Sequence, residues 1–161
     1  MMHLAQVNIA RMKAPIDSEV MAGFVARLDE INALADGSSG FVWRLQGDEG
    51  NAMYLRPYDD DRIIFNFSVW ETLDDLKQFV YRTVHAELLR DRKSWFEQFD
   101  GAYFALWWVP AGHIPTIDEA KQRLAYLDAH GPTEVAFTFK APYKSQSDPT
   151  AVAETTSTES L

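Results

Sequence analysis

The sequence predicts an α+β domain built on one four-stranded antiparallel sheet with helices on one face. Three observations lead there. Alternating apolar residues mark strands at 3–10, 41–46 and 63–70, and a fourth, almost wholly apolar run spans 103–109. Apolar residues at helical spacing fill the interval between the first and second strands, and again between the third and fourth. The order is therefore β-α-β twice over, the βαββαβ arrangement of a ferredoxin-like sheet, with one more helix and strand after it.

Each element has its own signal. In the first strand Ala5, Val7 and Ile9 alternate with Leu4, Gln6 and Asn8, so one side is wet or functional. Pro15 and Asp17-Ser18 supply a helix start, and Met21, Phe24, Leu28, Ile31 and Ala35 follow on one helical face. Asp36-Gly37-Ser38-Ser39-Gly40 ends that helix. The second strand places Phe41, Trp43 and Leu45 on one side, Arg44 and Gln46 on the other. A polar loop with Asp59, Asp60 and Asp61 follows; consecutive aspartates lack the interleaving of a calcium loop and read as a solvated tip. In the third strand Asn66, Ser68 and Trp70 share the side opposite Phe65, Phe67 and Val69.

Thr72, Asp74 and Asp75 suit the start of the second helix. Its apolar stripe shifts near 81–84, which predicts a kink, and the helix then resumes through Trp95, Phe96 and Phe99. The run 103–109 is apolar on both sides and needs cover on both. Thr116 and Glu119 have capping-box spacing for a third helix over 117–129, and Val135, Phe137 and Phe139 predict a last strand. From Ala141 to Leu161 large apolar residues nearly vanish, so the domain spans 1–140 and a disordered tail spans 141–161. Burying the aromatic face of the sheet against a second copy predicts a homodimer.

Composition narrows the function. A net charge of −9 excludes the basic footprint of nucleic-acid binding and disfavours docking on anionic membranes. The chain has no cysteine, which removes thiolate metal sites and thiol nucleophiles. No signal-peptide pattern opens it and no apolar run reaches spanning length, so it reads as cytoplasmic. The four histidines lack metal-ligand spacing, and no nucleotide or flavin cofactor motif occurs.

The second helix is the most informative stretch. Tyr81, His85, Leu88, Arg92, Trp95 and Phe96 share one face, where a helix built for packing would carry Leu or Ala in place of the imidazole and guanidinium. His85 is a general base or acid, or else a neutral core histidine. Arg92 clamps an anionic or carbonyl-bearing ligand, or else lies along aromatic rings. Asn8, Asn66 and Ser68 are short polar groups in apolar strands that either bond one another or line a cavity. Trp107 and Trp108 point to opposite sides, one to a pocket and one to a dimer seam. His113, held between prolines at a strand end, has the setting of a functional loop residue.

The segment from Ser68 onward resembles a bacterial domain-of-unknown-function family. The resemblance rests on Val-Trp-Glu-Thr at 69–72, Phe-Val-Tyr at 79–81, His85, Trp95-Phe96 and Trp107-Trp108-Val-Pro-Ala-Gly-His-Ile-Pro, and it runs from about His3 to Lys140. That family sits with the dimeric α/β-barrel superfamily, known best for antibiotic-biosynthesis monooxygenases. The resemblance implies a ferredoxin-like subunit, two sheets paired as a barrel, and a pocket between sheet and helices. Cofactor-free monooxygenases, isomerases, haem-degrading enzymes and proteins without known activity share that architecture, so fold alone selects none of them. The haem-degrading branch uses an Asn on the first strand and a His on the second helix, places that Asn8 and His85 match; Val80 and Tyr81 stand where that branch has a Trp. The expectation is a small-molecule enzyme of monooxygenase- or isomerase-like proton-transfer type, without a metal. In it His85 and Arg92 are catalytic, and Asn8, Asn66, Ser68, Tyr81, Trp95, Trp108 and His113 bind substrate. The alternatives are a metabolite-binding dimer and a haem protein with His85 as axial ligand.

Overall fold

A computed structural model describes residues 1–47, 50–83 and 85–145. The elements are β1 (Met2–Arg11), α1 (Ala22–Asp36), β2 (Phe41–Arg44), β3 (Ile63–Trp70), α2 (Leu73–Arg82), α3 (His85–Asp91), a 3-10 turn (Arg92–Ser94), β4 (Phe104–Pro110) and α4 (Ile117–His130). The sheet runs β2-β3-β1-β4 with every neighbouring pair antiparallel. This is the ferredoxin-like α+β sheet that the two β-α-β units predict.

Alternation along the central strands divides the core into two layers. On one face Leu4, Trp70 and Leu106 pack against Ile31 and Ala35 of α1 and Leu76 and Phe79 of α2. On the other, Ala5, Val7, Phe65, Phe67, Val69 and Trp107 pack against Ala120, Leu124 and Leu127 of α4, with Leu45 and Tyr58 at the margin. The cover for this second face, which the apolar load of the strands assigned to a second copy, is thus supplied from within the chain. Phe65 and Trp107 have no exposed surface here.

Several local expectations change. The cap signals at Asp17-Ser18 form a turn, with Ser18 N–H donating to Pro15 O, and α1 starts a turn later behind Met21 without a side-chain cap. In β2 a bulge at Val42 puts Phe41 opposite Trp70 and Trp43 opposite Val69, so Phe41 and Trp43 face opposite layers. The second helix breaks where its stripe shifts. Thr83 is extended, its hydroxyl bonds back to Phe79 O, and it accepts from His85 N–H at 3.2 Å. The helix does not resume through Phe99: α3 ends at Asp91, and Phe96 bridges to Met12 beside β1. The last strand shrinks to one reciprocal bridge between Phe137 and Leu106. Ordered contacts pass Lys140, because Trp108 Nε1 donates to Tyr143 O at 2.8 Å. The rest of the expected tail, 146–161, lies outside the described residues.

Candidate functional site

Between the sheet and helices α1, α2 and α3 lies a cavity of about 640 Å³, within the usual range for small-molecule sites. Its floor follows from the β1–β3 register. Gln6 stands opposite Ser68 and Asn8 opposite Asn66, so four polar side chains form a square on the face beneath the helices. Asn66 is mid-strand yet exposed, because what lies over it is the cavity.

Three of the four form a closed network. The Gln6 amide donates to Asn66 Oδ1 at 2.8 Å and to Ser68 Oγ at 2.7 Å. Trp70 Nε1 donates to the same Ser68 Oγ at 2.9 Å. The amide of Asn66 is thereby oriented, and its Nδ2 is left without a protein partner among the described residues. Asn8 Oδ1 is buried without a hydrogen-bond partner. Such an acceptor costs on the order of 1–3 kcal/mol, a debt found most often where function requires it.

The wall is carried by α2 and α3. The Thr83 break turns the chain so that His85 opens α3 and lines the cavity, its ring 5.1 Å from that of Phe79, which stacks on Trp70. His85 Nδ1 lies 3.3 Å from Val80 O, so in the neutral ring Nδ1–H donates to that carbonyl and Nε2 carries the lone pair. Burial pushes the imidazole below its ordinary value, while the Val80 carbonyl pulls the other way. Neutral His85 is a base with one free nitrogen. Arg27 of α1 ties this wall down through Glu87 at 2.7 Å, and holds that carboxyl below the usual range.

Arg92 lines the cavity from the 3-10 turn, its guanidinium 5.4 Å from the centre of the Tyr103 ring. Tyr81 lies at the rim, more than half exposed, against Phe139 at 5.6 Å. Asn8, Asn66, Ser68, Tyr81, His85 and Arg92 therefore meet around one space.

Three expected site residues do not. Trp95 leaves the helical face when α3 ends and packs on Phe24 at 5.8 Å, outside the cavity. Trp108 points to the cavity side of the sheet but is covered by Phe137 and bonded to Tyr143 O. Trp107 goes under α4. His113 lies on that far side, where its Nε2 is 3.0 Å from Glu119 Oε1 and Trp107 Nε1 donates to Glu119 Oε2 at 3.1 Å. Glu119 accordingly holds two members of the Trp-Trp-Val-Pro-Ala-Gly-His segment, while its backbone N–H takes the Thr116 cap.

Gln6, Asn32 and Arg44 also line the cavity and were not among the expected site residues. Gln6 had a signal, since it shares the wet side of β1 with Asn8. Arg44 lies opposite Trp43 and Leu45, as alternation places it, and the Val42 bulge adds Phe41 to its side. Among the described residues no group of three His, Cys, Asp or Glu could hold a metal ion, and no helix is long and apolar enough to cross a membrane.

A family model described as a domain of unknown function, DUF3291, matches residues 3–153. No curated protein matches the chain. Among solved structures the chain is similar to SnoaB, a cofactor-independent oxygenase from Streptomyces nogalater. Identity is 14%, the match covers 72% of this chain and 100% of that one, and the TM-score is 0.46. A protein of unknown function from Nitrosomonas europaea is 14% identical, covering 72% and 97%, with a TM-score of 0.45. A dabb family protein with a ferredoxin-like fold from Mesorhizobium loti is 16% identical, covering 70% and 100%, with a TM-score of 0.44.

Proposed function

The chain belongs to the DUF3291 family, and we propose that it is a small-molecule enzyme whose cavity removes a proton from a bound substrate. The observation that carries this reading is His85: a neutral imidazole whose Nδ1 is tied to Val80 O and whose Nε2 is free at a cavity with an amide floor. A substrate C–H or O–H gives its proton to Nε2, and the bond's electron pair stays on the substrate as an enolate or alkoxide. Asn66 Nδ2 and the Ser68 hydroxyl, whose oxygen already accepts from Gln6 and Trp70, supply donors for the developing oxyanion. A turn of the Asn8 amide brings Oδ1 to the cavity, where a ligand N–H or O–H meets it. Returning the proton to a different atom completes an isomerisation. With dioxygen as co-reactant, the same carbanion ends as a carbonyl plus water, a monooxygenation.

The test uses 2-tetralone in D₂O followed by proton NMR. Wild type is expected to accelerate exchange of the hydrogens next to the carbonyl, and His85→Gln to return the rate to that of buffer. Exchange unaltered by His85→Gln would remove the base from the mechanism. A second reading has one observation in its favour: an imidazole with Nδ1–H on a carbonyl and Nε2 open also suits an axial haem ligand. Hemin titration separates the two, since a Soret shift abolished by His85→Ala would replace proton transfer with haem binding.

A further inference from the structure

Arg92 differs from three other arginines that line or flank the site. Arg11 pairs with Asp60 and Glu97, Arg27 with Glu87, and Arg44 with Asp36. Among the described residues the Arg92 side chain makes no ion pair and no hydrogen bond; its guanidinium rests over the Tyr103 ring, and the residue lines the cavity. Of the other arginines without a carboxylate partner among the described residues, Arg56, Arg62 and Arg123 reach backbone carbonyls and Arg82 and Arg90 are exposed, whereas Arg92 is half-buried. The cavity itself offers little to neutralise it. Among the described residues Asp128 is the one carboxylate along the lining, and its Oδ1 is taken up by Ala102 N–H at 2.8 Å, while Lys140 adds a further positive charge.

Position adds a length to this charge. Seven residues separate His85 from Arg92 along one side of α3 and its 3-10 turn, which sets their backbones about 10 Å apart. Between them the cavity is walled by rings, with Phe79 and Trp70 near His85 and Tyr103 near Arg92. The Asn8–Phe104 pairing of β1 and β4 places Asn8 toward the Arg92 end.

We infer that the ligand is an organic anion with a flat apolar body about two rings long, its carboxylate, sulfonate or phosphate seated on Arg92 and its far end at His85. Arg92 then recognises the charge of the substrate and does not touch the reacting atom. This inference rests on the cavity being the ligand site proposed above, but does not require that His85 act as a base.

The test pairs two fluorescent probes of one skeleton: 1-anilinonaphthalene-8-sulfonate and the uncharged N-phenyl-1-naphthylamine. Wild type is expected to bind the sulfonate at least tenfold more tightly than the neutral probe, and 2-naphthoate, but not 2-naphthamide, to displace it. Arg92→Gln should weaken the sulfonate at least tenfold and leave the neutral probe unchanged, whereas Arg92→Lys should keep most of the preference. His85→Ala should keep it too, even where it abolishes exchange of 2-tetralone, so the two readings fail separately. Equal wild-type affinities for the probes would overturn the inference. So would an Arg92→Gln protein that binds the sulfonate as before, or one that loses both probes alike. A wild type that binds neither probe would sink this inference and the cavity as a ligand site together.

Discussion

Replacing Ser68 by Ala tests the cavity floor directly. Ser68 Oγ accepts from Trp70 Nε1 at 2.9 Å and from Gln6 Nε2 at 2.7 Å, and both donors are buried, with 1% and 5% of their residue surfaces exposed. The substitution leaves the indole N–H with no acceptor, whereas the Gln6 amide keeps Asn66 Oδ1. One fully orphaned donor and one half-served amide cost about 2–4 kcal/mol at the usual penalty for buried unsatisfied groups. For a chain of this length that is a fall in Tm of roughly 5–15 °C. Urea unfolding followed by far-UV circular dichroism gives the free energy directly, provided the slope against denaturant is unchanged. Asn66→Ala is the control: Asn66 is exposed to the cavity and the Gln6 amide then retains Ser68, so its cost should stay below about 1 kcal/mol. A Ser68→Ala protein within about 0.5 kcal/mol of wild type would mean that the network does not hold the floor, and the orientation of Asn66 would lose its cause.

Two further outcomes follow from the geometry. His85 binds its proton less readily folded than unfolded, so between its lowered value and about 6.5 the unfolded chain holds more protons and stability falls as pH falls. Urea midpoints at pH 8 and pH 5 should therefore drop less in His85→Gln than in wild type; an equal drop would place His85 in solvent. Glu119→Ala should cost about 1–3 kcal/mol, because it strands the indole N–H of fully buried Trp107, while His113→Ala, on a half-exposed side chain, should cost at most about 1 kcal/mol in thermal melts. The reverse ranking would show that the His113 contact, not the Trp107 contact, fastens this loop.

The sheet was legible because its signals are local and redundant. Alternation in 3–10 and 63–70 showed which residues share a side, so Asn8, Asn66 and Ser68 could be grouped as polar groups in apolar strands. His85 and Arg92 were legible for the same reason, as polar residues on an apolar helical stripe. What escaped depended on events that a periodic pattern cannot encode. The Val42 bulge moved Phe41 to the cavity face, and the end of α3 at Asp91 rotated Trp95 away from a face it would have shared in a continuous helix. His113 carried the composition of a functional loop, but its partner, Glu119, is a helix-cap residue whose carboxylate was free to be diverted. That α4 packs on the second face was not legible, because apolar load says that a surface is buried, not by what.

That last point bears on how the molecule comes together. With α4 laid over Phe65, Phe67 and Trp107, completing the sheet is an event within a single chain. That layer is held by Ala120, Leu124 and Leu127 of α4 against the strands, so substitutions at these positions act on the sheet directly. The same helix also reaches the cavity, because Leu127 and Asp128 near its end line it, so α4 touches both faces of the sheet.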